Sequence, residues 1–319
     1  MDLQFPAGDV IDVRLRNGVR LHARAFGDPD APVTILLLHG WTLDHRIWHR
    51  QLAEIPAGLP TPARVIVYDA RGHGRSSTSP RRSKTLAQLG DDLADLLTEA
   101  VPTGPVVLVG HSLGGMTIME YAHRHPDDFA ERVAGLVMIA TTAEGHIHTE
   151  YGLPTRLGHL IRLAEISGAY ILARCGAWRP HRMLQHVLRP SLRWLLFGDH
   201  ADRQDVRLTT ATVARTTLRA IGGFRPSIGA QRRLETLAAL ARIPAAVLVG
   251  DRDRLTPAKC AESIAAALGG AEVIALSGAG HMLMLERADE VNAAIARVVE
   301  EAVAAKPPTD TDTDLPLAA

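Results

Sequence analysis

The chain has 319 residues, of which 46% are hydrophobic, 4% aromatic and 22% charged. This composition supplies a large core without disulfides, and the length predicts roughly two structural units, either one large α/β unit or a core with an insertion. With 35 basic and 35 acidic residues, the formal net charge is zero. A zero net charge and few aromatic residues argue against a nucleic-acid partner.

The two cysteines, Cys175 and Cys260, belong to no CxxC or CxxH pattern, so the sequence predicts neither a disulfide framework nor a thiolate metal site. The first ten residues lack the basic start and apolar stretch of a signal peptide, and no apolar run approaches 18 residues. We therefore expect a soluble, cytoplasmic protein without an integral membrane segment. The oligomeric state is left open.

Residues 10–15 and 19–25 alternate apolar and polar side chains around Asn17 and Gly18, which predicts an antiparallel hairpin. Six continuous apolar runs then predict strands buried in a parallel sheet, at residues 33–38, 65–68, 106–109, 136–140, 245–249 and 273–276. Helical periodicity between them is clearest over residues 84–101 and 257–268. The sequence therefore predicts an α/β fold with a mostly parallel central sheet flanked by helices.

About a hundred residues between the fourth and fifth of these strands have only helix and loop patterns. The predicted organisation is an N-terminal part of the core (residues 1–140), a helical cap insertion (141–240) and a C-terminal part of the core (241–305). Residues 306–319 carry prolines and a Thr-Asp repeat, a composition that predicts a disordered tail.

The segment GHSLGG, residues 110–115, follows a predicted strand and precedes a helix. A tight strand-to-helix turn needs glycine two residues before and two residues after the serine, which exposes the hydroxyl of Ser112 at the apex. This context predicts a nucleophile elbow.

A serine nucleophile needs a base and a group that orients the base. The strand at residues 245–249 runs into Asp251 and Asp253, and the strand at residues 273–276 runs into His281, the only histidine after Asp253. Because functional groups of open α/β sheets gather at the carboxyl ends of the strands, we expect these side chains to lie near Ser112.

These motifs resemble those of serine hydrolases of the α/β-hydrolase superfamily, over roughly residues 9–304, with a cap at the usual insertion point. The resemblance implies a catalytic triad of Ser112, His281 and Asp253, since the superfamily's Gly-x-x-Asp motif matches residues 250–253 and favours Asp253 over Asp251. The segment HGWT at residues 39–42 resembles the oxyanion loop, which implies that the backbone amides of Trp41 and Leu113 stabilise the tetrahedral intermediate. No cofactor or metal is implied.

Residues 68–76 also resemble a superfamily signature, and we expect them mainly to shape the loop beside the site. The histidine pairs 45/49, 123/125 and 146/148 have a spacing that metal ligands use, but no cluster of Asp, Glu or Cys accompanies them in the sequence. We therefore expect surface or packing roles for these histidines and no bound metal.

Residues 141–235 contain 14 arginines, no lysine and seven acidic residues, a net charge of about +7. A basic cap would suit an anionic or lipid-like substrate, although the chain is rich in arginine in general, with only three lysines. Large apolar side chains of the cap, at positions 170, 178, 183 and 194–197, are expected to pack on the core and in part to line a pocket for an apolar acyl group.

The predicted activity is hydrolysis of carboxylic esters of an apolar acyl group, with a small-molecule ester as the partner. Thioesterases, lactonases, carbon-carbon bond hydrolases and cofactor-free perhydrolases of the superfamily share the triad, so these activities remain alternatives. A ligand-binding protein on a hydrolase scaffold is a further alternative, which a damaged triad would favour.

Overall fold

The computed structural model describes residues 5–78, 80–149, 151–174, 184–199 and 201–305. The predicted tail at residues 306–319, Cys175, and the cap residues Trp178 and Met183 lie outside the described residues. In the described part of the chain, eight strands form one sheet in the order β1-β2-β4-β3-β5-β6-β7-β8. Their bounds are β1 Asp9–Arg14, β2 Arg20–Phe26, β3 Val33–Leu38, β4 Ala63–Tyr68, β5 Val106–His111, β6 Val133–Ile139, β7 Ala245–Gly250 and β8 Glu272–Leu276.

The predicted N-terminal hairpin is confirmed. Strands β1 and β2 pair antiparallel, with Val13 opposite Leu21, and Gly18 in the turn has a φ of 81° that glycine adopts without strain. Strand β2 then pairs antiparallel with β4, and this pairing attaches the hairpin to the main sheet.

The six continuous apolar runs are also confirmed as strands, and β3 to β8 pair in parallel. Every residue of β3 is buried, as expected for a strand covered on both faces. Because these strands run in the same direction, the loops after β3, β5, β7 and β8 emerge at one edge of the sheet. The predicted site residues lie on these loops.

The helices fall between the strands and in one long excursion. Their bounds are α1 His49–Gly58, α2 Leu86–Ala100, α3 Leu113–Arg124, α4 Pro126–Arg132, α5 Thr155–Leu172, α6 Leu184–Leu196, α7 Arg203–Arg215, α8 Leu218–Ala230, α9 Leu234–Ala238, α10 Ala258–Ala267, α11 Leu283–Glu286 and α12 Ala288–Ala305.

The sheet carries a hydrophobic core on each face. Helices α2, α3 and α10 contribute Leu93, Met119 and Ile264 to one core, while α1 and α12 contribute Leu52 and Ile295 to the other. The threonine before α2 starts that helix well, since the Thr85 hydroxyl accepts a hydrogen bond from the Gln88 amide. The α/β-hydrolase architecture predicted from the sequence is therefore confirmed, with helices covering both faces of a mostly parallel sheet.

Helices α5 to α9 fill the interval between β6 and β7, in agreement with the helical pattern of that region. The cap boundaries at residues 141 and 240 stay a prediction.

None of the helices in the described ranges combines the length and the apolar character needed to cross a membrane.

Candidate active site

Ser112 lies at the turn between β5 and α3, where the backbone is strained. Its φ of 51° falls in the left-handed region that residues with a side chain rarely adopt. Strand β6 and the residues after it hold this turn, because the Ser112 amide donates to the Ile139 carbonyl at 2.9 Å and the Thr141 hydroxyl donates to the Ser112 carbonyl at 2.7 Å. Strain that the surrounding structure maintains in this way is typical of functional turns.

The two glycines of the motif allow this turn to form. A Cβ atom at Gly110 would lie 2.5 Å from the amide nitrogen of Gly115, and one at Gly114 would lie 2.2 Å from the carbonyl oxygen of Leu38. Both contacts are with backbone atoms that side-chain rotation cannot relieve. The close packing of β5, α3 and β3 therefore requires glycine at both positions, as the sequence motif predicts.

The structure brings His281 and Asp253 into direct contact on the loops after β8 and β7. The His281 imidazole donates from Nδ1 to Oδ2 of Asp253 at 2.8 Å, and both side chains are buried. Asp253 also accepts hydrogen bonds from the amides of Leu255 and Thr256, at 2.8 and 3.0 Å, and from the Thr256 hydroxyl at 2.8 Å. Because Nδ1 of His281 donates to Asp253, Nε2 is the ring atom that can accept a proton.

Asp251, the other carboxylate of this turn, lies apart from the imidazole. It accepts hydrogen bonds from the Gly278 amide at 2.8 Å and the Ser277 hydroxyl at 3.1 Å, and the Arg252 guanidinium lies 3.9 Å away. Its side chain is 45% exposed, whereas that of Asp253 is fully buried. The geometry therefore pairs His281 with Asp253.

Trp41 and Leu113, whose amides the resemblance assigns to the oxyanion hole, line the same cavity as Ser112. Leu113 is the first residue of α3, and an amide in the first turn of a helix has no acceptor within the helix. The loop that carries Trp41 is fixed by the Thr216 hydroxyl, which donates to the Thr42 carbonyl at 2.8 Å. Both residues are thus placed beside Ser112 on anchored backbone.

The cavity at Ser112, here called the reaction cavity, has a volume of about 60 Å³. Its lining residues are Trp41, Ser112, Leu113, Met116, Thr142, Gly145, His146, Thr149, Tyr151, Glu165, Arg225, Ile228, Leu255 and Thr256. Apolar side chains from the core and the cap form much of the wall. The cap also contributes two charged groups, Glu165 and Arg225. The Glu165 carboxylate accepts hydrogen bonds from the Tyr151 hydroxyl at 2.6 Å and from Arg225 at 2.7 Å.

The cap residues that line the reaction cavity differ from those expected. Of the large apolar side chains named from the sequence, Leu196 and Phe197 are buried in the core, whereas Tyr170 and Trp194 are 59% and 43% exposed. None of these four lines the reaction cavity. The expected packing on the core is thus found at residues 195–197. The expectation that some of these side chains line the pocket is wrong for those in the described residues, because the end of α6 packs on the core.

Two further residues contact the His281 loop, and the sequence motifs placed neither of them in the site. The His111 imidazole is fully buried, packs against the His281 ring at 4.8 Å between centroids, and donates from Nε2 to the His281 carbonyl at 2.9 Å. Burial and the neighbouring His281 ring hold the pKa of His111 well below its usual value, so this imidazole stays neutral.

Glu286 is the second of these residues. Its carboxylate accepts hydrogen bonds from the amides of Gly280 at 3.0 Å and Gly198 at 2.7 Å, and burial raises its pKa. The His281 amide in turn donates to the Leu196 carbonyl at 2.8 Å. The end of α6 therefore docks directly on the loop that carries His281.

Several of the paired histidines have acidic neighbours, which the sequence analysis did not expect. His45 donates from Nδ1 to Asp69 at 2.8 Å, His125 lies 2.8 Å from Asp91, and His148 lies 3.0 Å from Glu144. Asp69 and Asp91 come from other elements and Glu144 lies four residues before His148 in a loop, so the spacing of the histidines alone did not reveal these partners.

His22, His45 and Asp69 bring three ligand atoms within 4.8 Å of one another. Asp69 already accepts hydrogen bonds from the amides of His45 and Arg75, both at 2.8 Å, in addition to the His45 imidazole. The Ser76 hydroxyl donates to the backbone carbonyl of Asp69 at 2.5 Å. These contacts stabilise the loop at residues 68–76, in agreement with the shaping role expected for it.

Comparison with known proteins identifies the family of the chain. The model of the alpha/beta hydrolase family matches residues 35–294. The chain belongs to the alpha/beta hydrolase family. The family match therefore confirms the resemblance that the sequence motifs indicated.

Relatives of this alpha/beta hydrolase include enzymes with several named activities. A lipase of Mycobacterium tuberculosis is 38% identical over 129 residues, which cover 38% of this chain and 41% of the lipase. A proline iminopeptidase of Pestalotiopsis fici is 26% identical over 282 residues, which cover 86% of this chain and 94% of that enzyme. The chain thus spans less than half of the length of the lipase.

Among solved structures, a thermophilic esterase from Thermogutta terrifontis is similar, with a TM-score of 0.72. The match covers 92% of this chain and 99% of the esterase at 22% sequence identity. At this identity the likeness shows the shared fold alone.

Proposed function

We propose that this alpha/beta hydrolase cleaves carboxylic esters of apolar acyl groups through an acyl-enzyme intermediate, with Ser112, His281 and Asp253 as its catalytic triad. The observation that carries the proposal is the hydrogen bond from His281 to the buried Asp253, formed at the same sheet edge as the strained turn of Ser112. The lipase among the relatives supports the ester class.

In the proposed reaction, the Ser112 hydroxyl attacks the ester carbonyl carbon and its proton passes to Nε2 of His281. Asp253 stabilises the imidazolium that forms and keeps Nδ1 protonated. The amides of Trp41 and Leu113 donate to the developing oxyanion. His281 then returns the proton to the leaving alcohol, and a water molecule hydrolyses the acyl-enzyme by the same steps.

The wall of the reaction cavity favours an ester over a peptide that is bound by its free amino terminus. A peptidase that binds a free amino terminus needs a carboxylate available for the ammonium group. Glu165 lines this cavity, but Arg225 and Tyr151 already bind its carboxylate. The apolar side chains of Met116, Ile228 and Leu255 suit an acyl chain instead.

Initial rates on p-nitrophenyl esters from acetate to palmitate, beside proline p-nitroanilide, test the proposal. We expect ester turnover with a preference for one acyl length, and a decrease of about 10⁶-fold in kcat for Ser112→Ala. A Ser112→Ala variant that keeps more than a tenth of the activity would overturn the assignment of the nucleophile. Turnover of the anilide without turnover of any ester would overturn the substrate class.

A further inference from the structure

A second cavity adjoins the reaction cavity in the cap and has a volume of about 430 Å³, within the usual range for small-molecule sites. We call it the arginine cavity. Its lining residues are His146, Ile147, Arg162, Ile166, Ala169, Arg225, Pro226, Gly229, Ala230 and Arg232. His146 and Arg225 line both cavities, so the two cavities meet at these residues.

The arginine cavity has an excess of positive charge. Arg162, Arg225 and Arg232 line it, and no acidic residue is among its lining residues. Arg225 is ion-paired with Glu165, whose carboxylate lines the reaction cavity. The charge of Arg225 is therefore compensated by a carboxylate of the reaction cavity.

Arg162 and Arg232 are held in place without a carboxylate. Arg162 donates to the carbonyls of His146 at 3.0 Å and Thr149 at 2.6 Å, and Arg232 donates to the Glu144 carbonyl at 3.0 Å. Neither forms an ion pair with any residue of the described ranges. Hydrogen bonds to neutral carbonyls fix the two guanidinium groups and leave their charges available to an anion.

The three arginines also affect the pKa of His146, which lies beside them. Burial and the charges of Arg225, Arg162 and Arg232 lower its pKa to about 3, so the imidazole is neutral at physiological pH. Its Nε2 atom is buried and has no hydrogen-bond partner within the described part of the chain. Where the two cavities meet, a polar atom without a partner in the described residues therefore lies near uncompensated positive charge.

The remaining wall of the arginine cavity is apolar, with Ile166, Ala169 and Pro226 among its lining residues. A short hydrated ion such as phosphate gains little from such a surface. An aliphatic chain that ends in a carboxylate satisfies both parts of the wall, since the chain covers the apolar side chains and the carboxylate binds guanidinium groups.

We propose that the arginine cavity binds a carboxylate on the part of the ester that extends beyond the reaction cavity, so that the substrates are esters carrying a terminal carboxylate. This inference rests on the proposed ester hydrolysis at Ser112. It assigns a specificity role to Arg162 and Arg232, which take no part in the triad.

Matched ester pairs test the inference. On the acyl side, mono-p-nitrophenyl adipate is compared with p-nitrophenyl hexanoate, and on the alcohol side, the butyrate ester of 5-hydroxypentanoate is compared with pentyl butyrate. We expect kcat/KM to be at least about tenfold higher for the carboxylate ester in one of the two pairs, as an arginine-carboxylate contact provides. Equal values in both pairs would overturn the inference.

Arg232→Gln and Arg156→Gln provide the matched variants. Both arginines are exposed cap residues, but only Arg232 lines the arginine cavity. We expect Arg232→Gln to lower the carboxylate-to-neutral ratio of kcat/KM at least about fivefold and Arg156→Gln to leave the ratio unchanged. Because a folding defect lowers both rates together, the ratio isolates recognition. An equal loss of the ratio in both variants would assign it to the overall charge of the cap and overturn the site.

A binding measurement separates this inference from the proposed function. Calorimetric titration of the Ser112→Ala protein with adipate needs no ester turnover, and we expect binding that Arg232→Gln weakens. If the enzyme hydrolyses neutral esters but binds no adipate, the inference fails and the proposed function stands. If adipate binds and no ester is hydrolysed, the proposed function fails, and with it the role in ester specificity, while the arginine cavity stands as a carboxylate site. Binding of inorganic phosphate without binding of adipate would overturn the carboxylate assignment.

Discussion

The carboxylate of Glu286 accepts a hydrogen bond at 3.0 Å from the amide of Gly280, the residue that precedes His281. Its other oxygen accepts the Gly198 amide at 2.7 Å, where the chain leaves α6. One half-buried side chain therefore joins the end of a cap helix to the loop that carries the imidazole. The position of His281 depends on this junction as well as on Asp253.

Glu286→Gln replaces one acceptor oxygen with a donor and leaves a buried amide without its partner. We expect kcat on a p-nitrophenyl ester to fall about tenfold and the free energy of unfolding to fall by about 1–3 kcal/mol. Glu300→Gln, at an exposed position of α12, is the control and changes neither quantity appreciably. Kinetics and urea denaturation measure the two effects. An unchanged kcat in a destabilised Glu286→Gln protein would contradict the positioning role.

Variants of the two aspartates in the loop after β7 distinguish the orientation of the His281 imidazole from an effect of surface charge. Asp253→Asn keeps the shape of the side chain but removes the carboxylate that fixes the His281 tautomer, and we expect kcat to fall about 10⁴-fold, by analogy with the Ser-His-Asp template. Asp251→Asn changes an exposed carboxylate by the same chemistry two residues away. We expect it to retain kcat within about threefold. Comparable losses in both variants would refute the assignment of Asp253.

Gly114→Ala tests the backbone contact that the elbow requires. The new methyl group would lie 2.2 Å from the Leu38 carbonyl oxygen, so α3 and β3 must move apart. We expect a loss of at least about 3 kcal/mol in the free energy of unfolding, measured by chemical denaturation. Gly58→Ala is the matched control, because Gly58 ends α1 and a methyl group added there would have nothing within 4 Å. There we expect no loss and a gain of up to about 1 kcal/mol.

These residues also show what a sequence can predict. The strands were predictable because a strand that is buried on both faces of a sheet needs a continuous run of apolar residues. Their ends were less predictable, since β4 begins before its apolar run, at Ala63, and β5 ends after its run, at His111. The elbow was predictable because its backbone contacts admit only glycine at fixed spacing. Both features depend on residues close together in the chain.

The cap contacts were not predictable in the same way. Arg225 and Glu165 are 60 residues apart in the chain, and no periodicity or motif connects them. Their contact depends on how α5 and α8 pack, which is set by side-chain shape along both helices. The charge count detected the excess of arginine in the cap, but not which arginines line a cavity. Glu286 was missed for the same reason, because its partners lie in a loop and in the cap.

The stability of the fold should depend on pH through His73, a buried histidine of the loop at residues 68–76. Burial, the nearby His39 and the charge of Lys84 lower its pKa to about 3. The unfolded chain binds the same proton with a pKa of about 6.5, so protonation favours unfolding. The contribution of His73 is therefore complete above about pH 6.5 and is lost as the pH falls toward 3, by up to about 1.4 kcal/mol per pH unit.

His73→Gln removes this titration. We expect the free energy of unfolding of the variant to fall less steeply between pH 6.5 and 5 than that of the wild type, by up to about 1.4 kcal/mol per pH unit, measured by urea denaturation at several pH values. His123→Gln, at an exposed position of α3, should leave the slope unchanged. The slope is the informative quantity, because a packing defect shifts the stability at all pH values alike. Parallel pH dependence in wild type and His73→Gln would mean that this imidazole does not control the acid response.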